Sequence, residues 1–264
     1  MNHKIKNFIS VLILLCLFLS FLGACSKGDV VNAIRDRGEL RVGVKADVPR
    51  FGLLDLDSGE LRGMEIDLAY ALAKDILGDE NAVKFIIVGN AQMRAAILEN
   101  GQIDVAIATF TITPERKELF NFSRPYFTDE LSCLVRAGTA ISEIKDLDGK
   151  TAGVVRGTTS QTAFVAECEK LGIDTIVHEY SSYPEIKEAL SNGMVDAFVA
   201  DKSILYGYLD DTCILLNDGF NPQEYGVACK LENKKLAARI ESLLDKMEKN
   251  GELAAIFEKW GLDQ

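Results

Sequence analysis

Histidine is nearly absent from this chain: His3 and His178 are the only two in 264 residues. His3 lies at the start of an apolar leader, and His178 sits in the strand-like DTIVHEY with no nucleophile beside it. No G-x-S-x-G elbow occurs. The segment DGKT (148–151) ends like a phosphate loop, but Ile144 stands where the first glycine of that loop is required. Cysteine is no richer in chemistry. Of the six, Cys16 and Cys25 fall in or beside the leader, and Cys133, Cys168, Cys213 and Cys229 are scattered without a C-x-x-C pair. Metal sites built on thiolates need such close pairs, so no metal set is expected. The four later cysteines either pair outside the cytoplasm or stay as buried thiols. Positive charge is in deficit, 29 Lys and Arg against 40 Asp and Glu, for a net charge of −11. An acidic surface argues against nucleic acid and against a broad basic membrane face.

What is present begins with Lys4 and Lys6, followed by the apolar run Phe8–Phe21 and then LGAC (Leu22–Cys25). A basic start, a short apolar run and small residues describe an export signal over residues 1–24. The run is near the lower limit of about 17 residues for a spanning helix, so an uncleaved anchor is the alternative. LGAC resembles the lipobox of bacterial lipoproteins. That resemblance implies a lipidated Cys25 as first mature residue and a tether over residues 25–32. Two or more acyl chains are what stable anchoring requires. Loss of Lys4 and Lys6 with the signal takes the net charge from −11 to −13.

The remainder is α/β. In GMEIDLAYALAKDIL the positions Ile66, Ala69, Tyr70, Ala73, Ile76 and Leu77 share one helical face. Strand-like runs alternate with such helices: LRVGVK, KFIIVG, IDVAIATF, TAGVV, DTIVHEY and VDAFVAD, the pattern of βαβ units. Two segments echo each other. AAILENGQIDVAIAT (95–109) and KEALSNGMVDAFVAD (187–201) both read as helix, Asn-Gly stop, strand, with Gly101 and Gly193 where a helix end wants a left-handed residue. Two similar lobes are therefore expected, with 33–129 plus 227–264 in lobe 1 and 130–226 in lobe 2. FTDELSCLVRAG carries the chain across and QEYGVACK carries it back, a two-strand hinge. In open α/β sheets ligands sit beyond the carboxyl ends of the strands, which places Lys45, Thr109, Thr158, Thr159 and Asp201 on confronting faces.

These residues carry a resemblance. LRVGVKADVPRFG, GMEIDLAYALA, TFTITPERKELFNFSRPYF, DLDGKTAGVVRGTTS, VDAFVADKSI and FEKWGL look like a type 3 periplasmic solute-binding protein, the polar amino-acid receptor of an ABC importer. GVKADVP and FVADKSILYGYLDD point to its aspartate/glutamate-binding members. The resemblance implies a type II binding-protein fold of two mixed sheets, a monomer, no cofactor, and delivery to a membrane permease. It implies that Arg116 clamps the ligand α-carboxylate, aided by donors at Thr109 and Thr111. Thr159, in the GTTS turn with Thr158, reaches the same group from lobe 2, and Asp201 accepts the α-ammonium. Lys45 and Arg94 would meet a second carboxylate, and Tyr183 matches a ligand-contacting tyrosine.

Arginine suits the clamp because its planar fork meets a carboxylate with two parallel hydrogen bonds. Counting Lys45, Arg94 and Arg116 against Asp201 gives a site of about +2, which favours aspartate or glutamate, since an unpaired desolvated charge costs several kcal/mol. The residual charge calls for an unidentified acidic neighbour or a solvated Lys45. A neutral ligand such as glutamine or cystine is the alternative. A prephenate-type dehydratase is a further rival. So is a membrane sensor, although no second apolar segment follows before Gln264.

Overall fold

The computed structural model describes residues 29–262; the expected signal, Cys16 and the expected lipidation site Cys25 lie outside them. Asp29 opens helix α1 (Val30–Arg37) by accepting from the Val31 N–H at 3.1 Å. Residues 30–32 are therefore helix rather than tether, because Val31 and Ile34 bury their side chains in the core.

The chain then lays down β1 (Leu40–Val44), a small meander of β2 (Asp47–Val48), β3 (Gly52–Leu54) and β4 (Leu61–Arg62), helix α2 (Met64–Leu77) and β5 (Val83–Ile87). Helix α3 (Ala91–Glu99), β6 (Val105–Ala106), α4 (Pro114–Leu119) and β7 (Phe120–Phe122) follow. The face expected on α2 is largely the one it buries: Ile66, Ala69, Ala73 and Ile76 are in the core, joined by Leu68 and Leu72.

The long strand β8 (Phe127–Arg136) crosses to the second lobe. There the chain forms a 3₁₀ turn at Ile144–Leu147, β9 (Thr151–Val155), α5 (Thr159–Leu171), β10 (Ile176–Tyr180), α6 (Tyr183–Ser191), β11 (Ala197–Asp201), α7 (Lys202–Tyr206) and β12 (Cys213–Leu215). Strand β13 (Phe220–Tyr225) returns antiparallel to β8, with Tyr225 opposite Phe127, so the two crossing segments pair with each other. The chain re-enters the first sheet as β14 (Ala228–Lys230) and closes with α8 (Lys234–Asn250) and α9 (Glu252–Trp260). Trp260 Nε1 donates to Asp67 Oδ2 at 2.7 Å, which fastens α9 to α2.

The internal echo is visible in the sheets. The first is ordered β5–β1–β6–β14–β7 and the second β10–β9–β11–β8–β12. In each, three parallel strands (β5–β1–β6, β10–β9–β11) meet one antiparallel neighbour. Gly101 and Gly193 hold φ of 72° and 73°, a left-handed backbone that costs glycine little. Cys133, Cys168, Cys213 and Cys229 are free and buried.

The lobes touch. One apolar cluster runs from Val42 and Phe51 of the first to Tyr183, Phe198 and Ile204 of the second.

Candidate functional site

The carboxyl ends of β1, β6, β9 and β11 converge where the lobes face each other. β1 delivers Lys45, which is only 3% exposed. Its ammonium donates to Gly89 O at 2.7 Å and lies 3.0 Å from Asp47 Oδ1, an ion pair off the angle of a directed hydrogen bond. Lys45 is therefore not solvated, and Asp47 is an acidic neighbour missing from the sequence-based count. The ammonium also lies 5.3 Å from the centre of the Tyr183 ring, contributed by α6 across the cleft. Burial pushes the Lys45 pKa down, and Asp47 opposes that shift.

Helix α3 is capped by Asn90, whose side chain accepts from Met93 N at 2.8 Å, and this cap aims Arg94 inward. Arg94 Nη1 donates to Thr109 O at 3.3 Å, and its Nε is buried with no hydrogen-bond partner. The guanidinium rests 4.6 Å from the centre of Phe110, and Arg116 lies 4.7 Å from the same ring. Phe110 thus spaces two cations by cation–π contact with each. Thr113 caps α4 and Pro114 starts it, which fixes Arg116 so that Nη1 donates to Thr111 O at 2.7 Å. Burial, then the charge of Arg94, pulls Arg116 down to about 10, against Asp201. Neither guanidinium has an ion-pair partner among the described residues, whereas Lys45 has one.

The second lobe supplies Asp201 at the end of β11. Its Oδ2 accepts from the Tyr225 hydroxyl, and its Oδ1 is buried and unpartnered. Burial pushes its pKa up to about 7, with Asp129 adding to the shift. Thr159 Oγ1 donates to Gln223 Oε1 at 2.8 Å and lies 3.3 Å from Thr111 Oγ1 of the other lobe.

Two of the expected site residues have groups engaged within the protein itself. The Thr109 N–H goes to Glu65 Oε1 at 2.5 Å. This contact accompanies a φ of 44°, unusual for a β-branched residue and typical of functional turns. The Thr158 hydroxyl donates to Val155 O at 2.7 Å and accepts from Gln161 N at 3.4 Å, so it caps α5. Arg156, just before the same turn, forms a surface pair with Glu179 at 2.7 Å.

Sequence reasoning missed Glu65, Asp47, Tyr126 and Tyr225. Glu65 is fully buried; its Oε1 also accepts from Tyr126 OH at 2.6 Å, while Oε2 has no partner. Burial raises its pKa against both donors. As a first-turn acid on an amphipathic helix it reads as ordinary dipole pairing. Asp47 was findable: it lies two residues from Lys45, within side-chain reach along extended chain. A cavity of about 610 Å³ between α2, α8 and α9, lined by Tyr70, Lys74, Asp75 and Met247 among others, holds none of these residues.

The unpartnered atoms at Arg94, Asp201 and Glu65 sit in one cluster shared by both lobes. It can hold a small molecule that carries both signs of charge. The model for bacterial extracellular solute-binding proteins, family 3, matches residues 40–263. The ABC transporter glutamine-binding protein GlnH of Bacillus subtilis is 38% identical over 238 residues, 89% of this chain and 85% of that protein. The L-cystine-binding protein TcyJ of Escherichia coli is 33% identical over 236 residues, 88% and 85% of the two chains. The solved cysteine-binding protein of Campylobacter jejuni superposes with a TM-score of 0.80 at 28% identity, covering 88% of this chain and 92% of that one. With two lobes meeting at a charged cluster and residues 40–263 matched, the chain belongs to the bacterial extracellular solute-binding proteins of family 3.

Proposed function

We propose that this protein is the receptor of an amino-acid ABC importer and that its ligand is an acidic amino acid, glutamate or aspartate. Family membership and relatives named for glutamine and cystine binding support the receptor class. The acidic ligand rests on one observation. Arg94 is a buried guanidinium with an unpartnered Nε and no carboxylate in ion-pair reach among the described residues. A desolvated cation without a counter-charge is costly, and a ligand carboxylate supplies one. The charge count then closes: three cations less Asp47 and Asp201 leave about +1, which glutamate's net −1 neutralises. Arg116 takes the α-carboxylate, Asp201 Oδ1 the ammonium, and Arg94 the distal carboxylate, with Lys45 and Tyr183 beside it. Thr111 and Thr159 close over the clamp.

Glu65 favours a second reading. Were it ionised, the count would fall to zero and suit glutamine, for which the Bacillus subtilis relative is named. Burial pushes the Glu65 pKa up against its Tyr126 and Thr109 donors, and the unpartnered Arg94 Nε is what favours the acidic ligand over glutamine. Calorimetric titration of refolded, ligand-stripped protein with glutamate, aspartate, glutamine, cystine and arginine tests the choice. Tight binding of the acidic pair alone supports it, and preference for glutamine or cystine keeps the receptor but overturns the acidic assignment.

The proposed lobe boundaries are 33–129 plus 227–264 and 130–226. A lipidated Cys25 would hold the receptor at the outer face of the cytoplasmic membrane. Cys25→Ser is then expected to shift it from the membrane to the soluble fraction, read by fractionation; an unchanged distribution contradicts the anchor.

Asp201 makes binding pH-dependent. In this structure, with the lobes in contact, its carboxyl is raised to about 7, and holding an ammonium requires the ionised form. Affinity is therefore expected to be flat above about pH 7 and to fall by up to about tenfold per unit below it. The sign for folding is opposite. A raised acid contributes stability that is fully present below its unfolded pKa and is lost as pH rises through about 7. Titrations between pH 5 and 8 check the first slope, and Asp201→Asn should flatten it as well as weaken binding.

A further inference from the structure

The lobes also meet on the flank where α7 ends, and there the contact involves none of the proposed clamp residues. Tyr208 OH, from lobe 2, donates to the main-chain carbonyl of Asp47, in lobe 1. The preceding residue, Gly207, lies against Pro49: a methyl group built on Gly207 would sit 2.7 Å from Pro49 Cβ and 2.8 Å from its Cγ. Real methyl groups do not approach that closely, so closure to this depth requires glycine here. Its backbone does not. Gly207 has φ −70° and ψ −17°, ordinary helical values open to any residue. Close approach of the opposite lobe is the constraint left to explain the missing side chain.

Tyr208 is held from behind. Its ring packs edge-on against Phe198 at 5.6 Å and lies tilted against Tyr183 at 6.4 Å. The turn after it is pinned to α6 by the Asp210–Lys187 ion pair at 2.9 Å. Asp47 in turn has two faces: its carboxylate pairs with Lys45 at the site, and its carbonyl receives Tyr208.

We propose that Gly207 and Tyr208 form a closure latch that grips the Asp47–Pro49 turn and sets how long the closed state lasts. They are positioning residues. Both act through closure, so the latch serves whichever amino acid the clamp holds. The proposal rests on the receptor reading, not on the acidic ligand. Capture happens in the open form and is indifferent to the latch, whereas release requires its opening.

Gly207→Ala separates closure from folding. The alanine fits the helical backbone of an open protein and replaces a flexible residue, so the ligand-free melting temperature should be unchanged or higher. The closed form loses its fit. With a mixture of glutamate, aspartate, glutamine, cystine, cysteine and arginine as probe, solution scattering of the parent should show compaction that Gly207→Ala does not reach. Binding of whichever component the parent takes should weaken on the order of tenfold or more, in the dissociation rate rather than the association rate. Tyr208→Phe removes only the hydroxyl and should speed dissociation by about three- to tenfold, the worth of one hydrogen bond. Parent-like compaction and dissociation in both variants overturns the latch. So does a lower ligand-free melting temperature in Gly207→Ala, which would make the glycine structural, and so does a parent that fails to compact. If the mixture compacts the parent while glutamate and aspartate alone do not, the acidic ligand is overturned and the latch stands.

Discussion

Arg116→Ala is expected to remove binding of every amino acid, with affinity falling by about a hundred- to several-thousandfold. The reason is geometric before it is electrostatic. Thr113 and Pro114 start a helix at one defined residue, so Arg116 leaves it in one direction, with Nη1 on Thr111 O and its plane over Phe110. One donor is committed to the carbonyl and the rest of the fork is free for a carboxylate. Every amino acid carries that carboxylate, so the loss should not depend on the side chain. Lysine at the same position should recover little, since a point charge on a flexible stem lacks the fork. Fluorescence or calorimetric titration with the full panel reads the effect. A loss below about tenfold, or one confined to acidic ligands, would place the α-carboxylate elsewhere.

Arg94→Met is expected to change selectivity rather than binding as such. Glutamate affinity should fall by about a hundredfold or more, while glutamine stays within about tenfold of the parent. Methionine keeps much of the apolar stem and removes the charged guanidinium that lies over Phe110, so much of the side-chain volume is preserved. It also leaves Thr109 O without its Arg94 donor, and this accounts for the smaller loss shared by all ligands. Lys45→Met should act more weakly on selectivity. The lysine is already paired with Asp47, so its removal exposes an unpaired acid rather than deleting a free cation. Equal losses for glutamate and glutamine in Arg94→Met would show that the guanidinium supports the fold and does not read the ligand.

The repeated helix–glycine–strand units are the clearest case of structure read from sequence, because helical and strand periodicities differ and a left-handed stop has few residues that tolerate it. The two-sheet plan followed from them. The places of Lys45 and Asp201 at the carboxyl ends of strands were legible for the same reason. Residues that act through third partners were not. Thr109 spends its N–H on Glu65 because its backbone is left-handed, and nothing in ATFT announces a φ of 44°. Thr158 looked like Thr159, but one residue's difference in phase makes one the cap and the other a cleft hydroxyl. Glu65 is inward-facing only because Tyr126, 61 residues away, and the Thr109 N–H meet it there. Such long-range pairings carry no local signal. Phe110 gives no distinguishing signal for a different reason, since a core ring and a spacer between two guanidinium groups demand the same apolar residue.

The most direct test is a crystal structure of the protein with L-glutamate bound. The expected result is a distal carboxylate within about 3 Å of the Arg94 guanidinium, Nε included, with the ammonium on Asp201 Oδ1 and the α-carboxylate on Arg116. A distal group turned away from Arg94, toward Glu65 or solvent, would contradict the assignment of this receptor to acidic amino acids.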